Sequence, residues 1–192
     1  MTPGNPDLIA NEASRWLTVT LVGLYAALAA PALLTGPPLA LADIAPGCFL
    51  AALLIALSAI DLRSYRLPDY LTLPLGAAGV AAAHWLGWET GMARLLAAVI
   101  AFLSLLLVRA VYFQVRGRHG LGLGDAKLFA AIAAWTGVDG LAAILLYASG
   151  LALLAAIYLA ATGRHVSAHT ALPFGPFLGV GGWLVWLYGP PL

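Results

Sequence analysis

The sequence predicts an all-α, multi-pass membrane protein with about six to seven transmembrane helices. Of its 192 residues, 62% are hydrophobic and 9% are charged, whereas about a quarter of the residues in a soluble domain are charged. The mean hydropathy is +0.95. Stretches of about 20 apolar residues recur along the chain, and each is long enough to cross a hydrocarbon core of roughly 30 Å. We therefore expect one membrane domain with little protein outside it.

Seven apolar segments account for most of the chain. The fifth segment is short for a transmembrane span, so it either crosses at an angle or enters the bilayer and relies on neighbouring helices to satisfy its backbone. The predicted segments lie at about 16–34, 44–60, 70–88, 91–113, 125–137, 139–162 and 171–188.

The distribution of charge orients these segments. If seven segments cross and the N-terminus is cytoplasmic, basic residues concentrate on the cytoplasmic side, as the positive-inside rule requires. Asp61 and Asp125 are separated by two spans, so both are expected at the cytoplasmic edge. The basic residues on that side are Arg15, Arg63, Arg66, Arg109, Arg116, Arg118, Lys127 and Arg164, while Arg94, Asp43, Glu89 and Asp139 fall outside.

Two acidic residues flank the turn after the second segment. Asp61 ends an apolar run, where the dipole of its helix opposes a negative charge and hydrocarbon withholds solvation. One interpretation is an interfacial aspartate paired with Arg63 or Arg66. Asp69 follows Pro68 and precedes a new apolar run, which is typical of a helix N-cap.

The third acidic residue, Asp125, follows the glycine-rich run GLGLG. It can also be a helix N-cap, and Gly122 and Gly124 can serve as a hinge or a close packing site. No strand precedes this run, which argues against a dinucleotide or phosphate loop. Lys127 is expected to reach the membrane interface or lipid phosphates.

Two carboxylates at one membrane edge favour a specific chemistry. Like charges a few ångströms apart do not both ionise cheaply, so the pair shares a proton. The ionised carboxylate then takes a proton from a water that attacks a peptide carbonyl, while the protonated carboxyl donates to the carbonyl oxygen. Glycine beside one aspartate lets an extended substrate backbone approach closely, because no Cβ intervenes.

Three motifs in order resemble the type IV prepilin leader peptidases, which are GxGD-type aspartic peptidases of the bacterial inner membrane. They are Asp61 with the following LPDYLTLPL, then GLGLGDAKL, then LPFGPFLGVGG. The resemblance implies that Asp61 and Asp125 are catalytic. It also implies substrate-binding or site-shaping roles for Gly122, Gly124, Lys127, Pro68, Asp69, Pro173, Phe174, Gly175 and Pro176. The PFGPF run is further expected to form a substrate-facing bend within its span.

The resemblance implies removal of a short basic leader from prepilins or pseudopilins at the cytoplasmic face of the inner membrane. We expect residues 1–192 to form one domain, with a polar N-terminus at 1–15, an extra helix at 16–34 and the peptidase core at 45–188. N-methylation is not expected, because the sequence has one cysteine, Cys48, and so no CxxC pair.

The sequence also bears on other partners and functions. No cofactor and no nucleic acid are expected, and membrane lipid is the other expected partner. His165 and His169 have metal-ligand spacing if their loop is helical, but no third ligand accompanies them, so no metal site is expected. A small membrane transporter or an inactive assembly partner that uses the same acidic pair remains the alternative.

Overall fold

A computed structural model of the chain describes residues 6–35, 41–87, 89–117, 120–162 and 172–190. All regular secondary structure in these ranges is α-helical, which confirms the predicted fold class. Seven helices follow one another along the described chain: α1 (Pro6–Thr35), α2 (Leu41–Ser64), α3 (Asp69–Leu86), α4 (Gly91–Arg116), α5 (Leu123–Thr136), α6 (Leu141–Ala161) and α7 (Gly175–Tyr188).

Four of these helices contain segments long and apolar enough to cross a membrane. The segments are Leu17–Leu34 in α1, Asp43–Ser64 in α2, Gly91–Arg116 in α4 and Leu141–Ala161 in α6. Helices α5 and α7 have 14 residues each, so each is about 21 Å long and shorter than a hydrocarbon core. The multi-pass prediction is confirmed, and the predicted count of six to seven spans agrees only roughly.

The short helix α5 lies at the centre of the bundle and packs against α3, α4 and α7. Its side chains Phe129 and Ile132 are fully buried. A helix that is apolar on all sides is buried on all sides, and the surrounding helices satisfy this requirement. The N-terminus of α5, where Asp125 lies, is therefore held by several helices at once.

Helix α1 begins at Pro6, so the expected polar segment 1–15 is helical over much of its length. The apolar span inside α1 is Leu17–Leu34, which agrees with the predicted apolar segment 16–34, so the helix extends beyond its membrane span. A proline at the first helical position loses no hydrogen bond, because the first N–H groups of a helix have no partner within it. The backbone carbonyls of α1 accept hydrogen bonds from α7, at 3.1 Å from Trp183 Nε1 to Tyr25 O and at 2.7 Å from the Tyr188 hydroxyl to Leu28 O.

An apolar groove of about 770 Å³ lies between α1, α2 and α7. Its α2 wall is formed by residues such as Ala52, Ile55 and Ala59, and Asp61 does not line it. On α2, Asp61 instead shares a face with Leu57 and Ser58, which are buried in the bundle. The groove is consequently separate from the acidic site.

Candidate active site

Asp61 lies in the last turns of α2 and is almost completely buried, with 4% of its surface exposed. The backbone N–H of Gly175 donates a hydrogen bond of 3.0 Å to its Oδ2 atom. Gly175 is the first residue of α7, so the positive end of the α7 dipole faces the carboxylate. The unfavourable position of Asp61 at the end of α2 is thus offset by the start of another helix.

Gly175 has no room for a side chain. A Cβ atom there would lie 2.7 Å from Asp61 Oδ2 and 3.1 Å from its Cγ. The close approach of the α7 backbone to Asp61 therefore requires glycine at this position.

The PFGPF run begins a helix and does not bend one, which corrects the prediction. Pro173 and Phe174 precede α7, and Pro176 lies in its first turn. Proline is well accommodated there, because the N–H that it lacks would have had no partner within the helix. The predicted span 171–188 included these residues because they are apolar, although the helix starts later.

Asp125 is the third residue of α5 and is half-buried. Its Oδ2 accepts a hydrogen bond of 3.2 Å from the backbone N–H of Gly122, which is the N-cap residue. This contact is the reciprocal half of a capping box, so the local capping interpretation of Asp125 was partly right. Both carboxylates therefore accept a backbone N–H at the start of a helix. For Asp61 this helix is α7, and for Asp125 it is its own helix, α5.

The two carboxylates are close enough to interact electrostatically. Asp125 lies outside the four candidate membrane spans, and burial raises its pKa to about 6, with negative charge on Asp61 adding to the rise and the Gly122 N–H opposing it. The structure thus brings together the two aspartates that chain topology predicted on one side. A pair of this kind holds one proton more readily than none.

Asp69 and Lys127 form an ion pair beside this site. Lys127 Nζ lies 2.7 Å from Asp69 Oδ1 and 2.8 Å from Oδ2. The N-cap of α3 is Pro68 and not Asp69, so the capping prediction for Asp69 was wrong, because a cation from α5 binds its carboxylate. Lys127 likewise binds within the protein, and the pair ties the start of α3 to the start of α5.

The motif glycines beside Asp125 are used in packing. A Cβ at Gly124 would lie 3.0 Å from Leu67 Cβ, and one at Gly122 would lie 3.0 Å from Asp125 Oδ2. The close-packing alternative therefore describes Gly124, which abuts the connection between α2 and α3.

Sequence reasoning missed one residue near the site. The guanidinium of Arg109 in α4 donates a hydrogen bond to the carbonyl of Leu121, in the loop before Asp125. The available signal was a charged side chain inside a long apolar helix, which usually has an internal partner.

Metal ligands do not cluster in the part of the chain that the structure describes, since no three His, Cys, Asp or Glu side chains come together there. His165 and His169, with Arg118 and Arg164, lie outside the described residues.

The sequence is similar to those of known peptidases. A model of the type IV leader peptidase family matches residues 48–159, which include both aspartates. Three curated proteins, each named prepilin leader peptidase/N-methyltransferase, are similar to this chain. The Xanthomonas campestris pv. campestris protein is 40% identical over 144 residues, covering 74% of this chain and 50% of that protein. The Burkholderia pseudomallei protein is 40% identical, covering 74% and 46%. The Neisseria gonorrhoeae protein is 39% identical, covering 72% and 47%.

The chain thus spans about half the length of the curated relatives that it matches. No solved structure matches it significantly.

Proposed function

Because this chain belongs to the type IV leader peptidase family, we propose that it is an aspartic endopeptidase that removes the short basic leader from type IV prepilins or pseudopilins. The proposal rests on the proximity of Asp61 and Asp125, whose charges interact and whose carboxylates each accept a backbone N–H at the start of a helix. The names of the similar proteins support the choice of substrate.

The proposed mechanism divides the work between the two carboxyl groups. Asp61 is ionised and takes a proton from a water whose oxygen attacks the scissile carbonyl carbon. Asp125 holds the shared proton, donates it as a hydrogen bond to the carbonyl oxygen and stabilises the tetrahedral intermediate. The proton that Asp61 gained passes to the leaving amine as the C–N bond breaks. No covalent bond forms between the substrate and the enzyme.

This division is supported by the environments of the two groups. Burial disfavours a charge on Asp61, and the Gly175 N–H and the α7 dipole act against this effect by favouring the ionised form. With its pKa raised to about 6, Asp125 is a carboxyl that keeps a proton where an ordinary aspartate has lost it. Because the two carboxyl groups are coupled, the proton is shared by the pair. A bound substrate excludes water from the site, and the pair then holds the proton more firmly.

The proposed location is the bacterial inner membrane, with the site toward the cytoplasm. The predicted excess of Lys and Arg on that side supports this orientation. The pair of Asp61 and Asp125 carries a net negative charge, which favours binding of a basic leader. The systems served by such an enzyme include type IV pili, type II secretion and tight-adherence pili.

The proposal covers the peptidase activity only. The relatives' names include N-methyltransferase, but the sequence has a single cysteine and no CxxC pair. The absence of N-methylation stays a prediction, and mass spectrometry of the new N-terminus of the product tests it.

The test is cleavage of a purified prepilin by the protein reconstituted in liposomes, with the cut mapped by mass spectrometry. The proposal requires loss of the basic leader with wild type, in the presence of EDTA as well as without it, and no loss with Asp61→Asn. A matched control is Asp139→Asn, which changes an exposed aspartate in the turn before α6. Failure of wild type to cleave representative prepilins and pseudopilins would contradict the proposal, and ion-flux measurements on the same liposomes then test the transporter alternative.

A further inference from the structure

Arg109 and Asp125 contact opposite ends of one peptide group. The carbonyl oxygen of Leu121 accepts a hydrogen bond from Arg109, and the N–H of Gly122 donates one to Asp125 Oδ2. These two atoms belong to the same planar unit, and the described peptide bonds are all trans, so the C=O and N–H point in opposite directions. Fixing the carbonyl therefore fixes the direction of the N–H.

We infer that Arg109 is a positioning residue, which holds the Leu121–Gly122 peptide group so that the Gly122 N–H points at Asp125. This inference rests on the proposed peptidase function, because it assigns Arg109 a part in preparing one of its two carboxyl groups.

The N-cap of α5 explains why such support is needed. Most N-cap residues have a side-chain oxygen that fixes their geometry against the first turn, and Gly122 has none. At the other end of the loop, Gly117 ends α4 in the left-handed conformation, with φ of 67°. Glycine backbone on both sides of the loop is easily reoriented, so the contact from Arg109 supplies a restraint that the glycine-rich run does not provide.

The position of Arg109 supports a dedicated role. It is half-buried and lies within the apolar candidate span Gly91–Arg116, where an arginine is costly unless its charge is satisfied. The Leu121 carbonyl satisfies one of its donors. A charged donor at the carbonyl also polarises the amide, which strengthens the hydrogen bond that its N–H makes.

The inference predicts how Asp125 titrates when Arg109 is removed. A hydrogen bond to the ionised carboxylate favours that form, so weakening it, together with the loss of a positive charge, raises the pKa of Asp125 further. Other charged groups around α5 are unchanged by the substitution. Among the residues that the structure describes, they are Asp61 of α2, Asp69 of α3 with its partner Lys127, and Arg94 of α4 with its partner Glu89.

The test compares Arg109→Met with Arg109→Lys and with Arg116→Met. Arg116 lies on the same helix two turns away and is exposed, so its replacement removes the same charge without touching the peptide group. Cleavage is measured from pH 5 to 9. The expected result for Arg109→Met is a roughly five- to tenfold lower kcat and an alkaline limb shifted upward by roughly half a unit to one unit. Arg109→Lys recovers a large part of both, and Arg116→Met matches wild type.

A second measurement separates this inference from the proposed function. The pH dependence of thermal unfolding reports the Asp125 titration whether or not the protein cleaves anything. Arg109→Met should move the midpoint of that dependence upward, and the effect should vanish in Arg109→Met combined with Asp125→Asn. An unchanged midpoint and an unchanged pH–activity profile in Arg109→Met would overturn the inference, while absent cleavage by wild type would overturn only the proposed function.

Discussion

The backbone N–H of Gly175 donates a 3.0 Å hydrogen bond to Asp61 Oδ2, joining residues that are 114 positions apart in the chain. This contact explains how an aspartate persists at the C-terminal end of an apolar helix. The dipole of α2 disfavours the charge, and the first turn of α7 supplies both a donor and a dipole of the opposite sense. The start of α7 is thereby part of the acidic site.

Gly175→Ala is expected to disable the site while leaving the fold in place. The new Cβ would lie 2.7 Å from Asp61 Oδ2, so either Asp61 or the start of α7 must move. We expect kcat/KM to fall by roughly a hundredfold, as for a misplacement of about 1 Å. Gly150→Ala in α6 is the control, because its Cβ meets nothing within 4 Å. Equal activity in the two variants would show that the Gly175 contact is dispensable.

Asp125→Asn is expected to stabilise the protein at neutral pH. The pKa of Asp125 is raised from 3.8 to about 6 in the folded state. Its contribution to stability is therefore fully present below pH 4 and is lost as pH rises through about 6. Asparagine does not titrate, so Asp125→Asn does not lose stability in this way as pH rises. The difference in unfolding free energy in favour of the variant should be near zero at pH 4 and reach roughly 2 to 3 kcal/mol at pH 7. Unfolding measured from pH 4 to 8 tests this, and an advantage that is constant with pH would contradict it.

The Asp69–Lys127 pair is expected to act as a tie between α3 and α5. Its side chains are 55% and 38% exposed, respectively, so Lys127→Met should cost less than about 1 kcal/mol of unfolding free energy. The activity loss should be modest, and exchange of the two residues in Asp69→Lys with Lys127→Asp should restore it. A role of Lys127 in binding substrate predicts the opposite, because the exchanged pair would then remain impaired.

Gly182 and Ile132 are expected to be energetically coupled, because they set the spacing of α7 and α5. A Cβ at Gly182 would lie 2.5 Å from Ile132 Cγ2. We expect Gly182→Ala to destabilise by roughly 1 to 3 kcal/mol through overpacking, and Ile132→Ala by roughly 2 to 5 kcal/mol through a cavity. The double variant should lose less than the sum, since the added methyl group fills part of the cavity. Additive losses in detergent unfolding would argue against a direct contact.

The sequence predicted the fold class and the pairing of the two aspartates because both follow from patterns along the chain. Apolar runs identify membrane helices, and the two spans predicted between Asp61 and Asp125 led to the expectation that both lie at one membrane edge. Neither inference needed a side-chain contact. The number of spans was less predictable, because short buried helices such as α5 and α7 are as apolar as spanning ones.

Contacts between distant residues account for what the sequence did not predict. Asp69 has the pattern of an N-cap, and only the folded chain brings Lys127 to it, 58 positions away. Pro176 was expected within a bend, although the preference of proline for the first turn of a helix already favoured a start. The sequence placed Arg109 on the cytoplasmic side from its charge alone. Its partner was not predicted, because that partner is a backbone carbonyl, which no sequence pattern identifies.

In the proposed mechanism, Asp61 and Asp125 share one proton and act as a unit on a water molecule. The most direct test is prepilin cleavage by Asp61→Asn, Asp125→Asn and the double variant, with rates compared at equal amounts of folded protein. Residues that act as a unit give losses that do not multiply, so each single variant should lose as much activity as the double variant. Substantial cleavage by either single variant, or a double variant slower by the product of the two single losses, would contradict the claim.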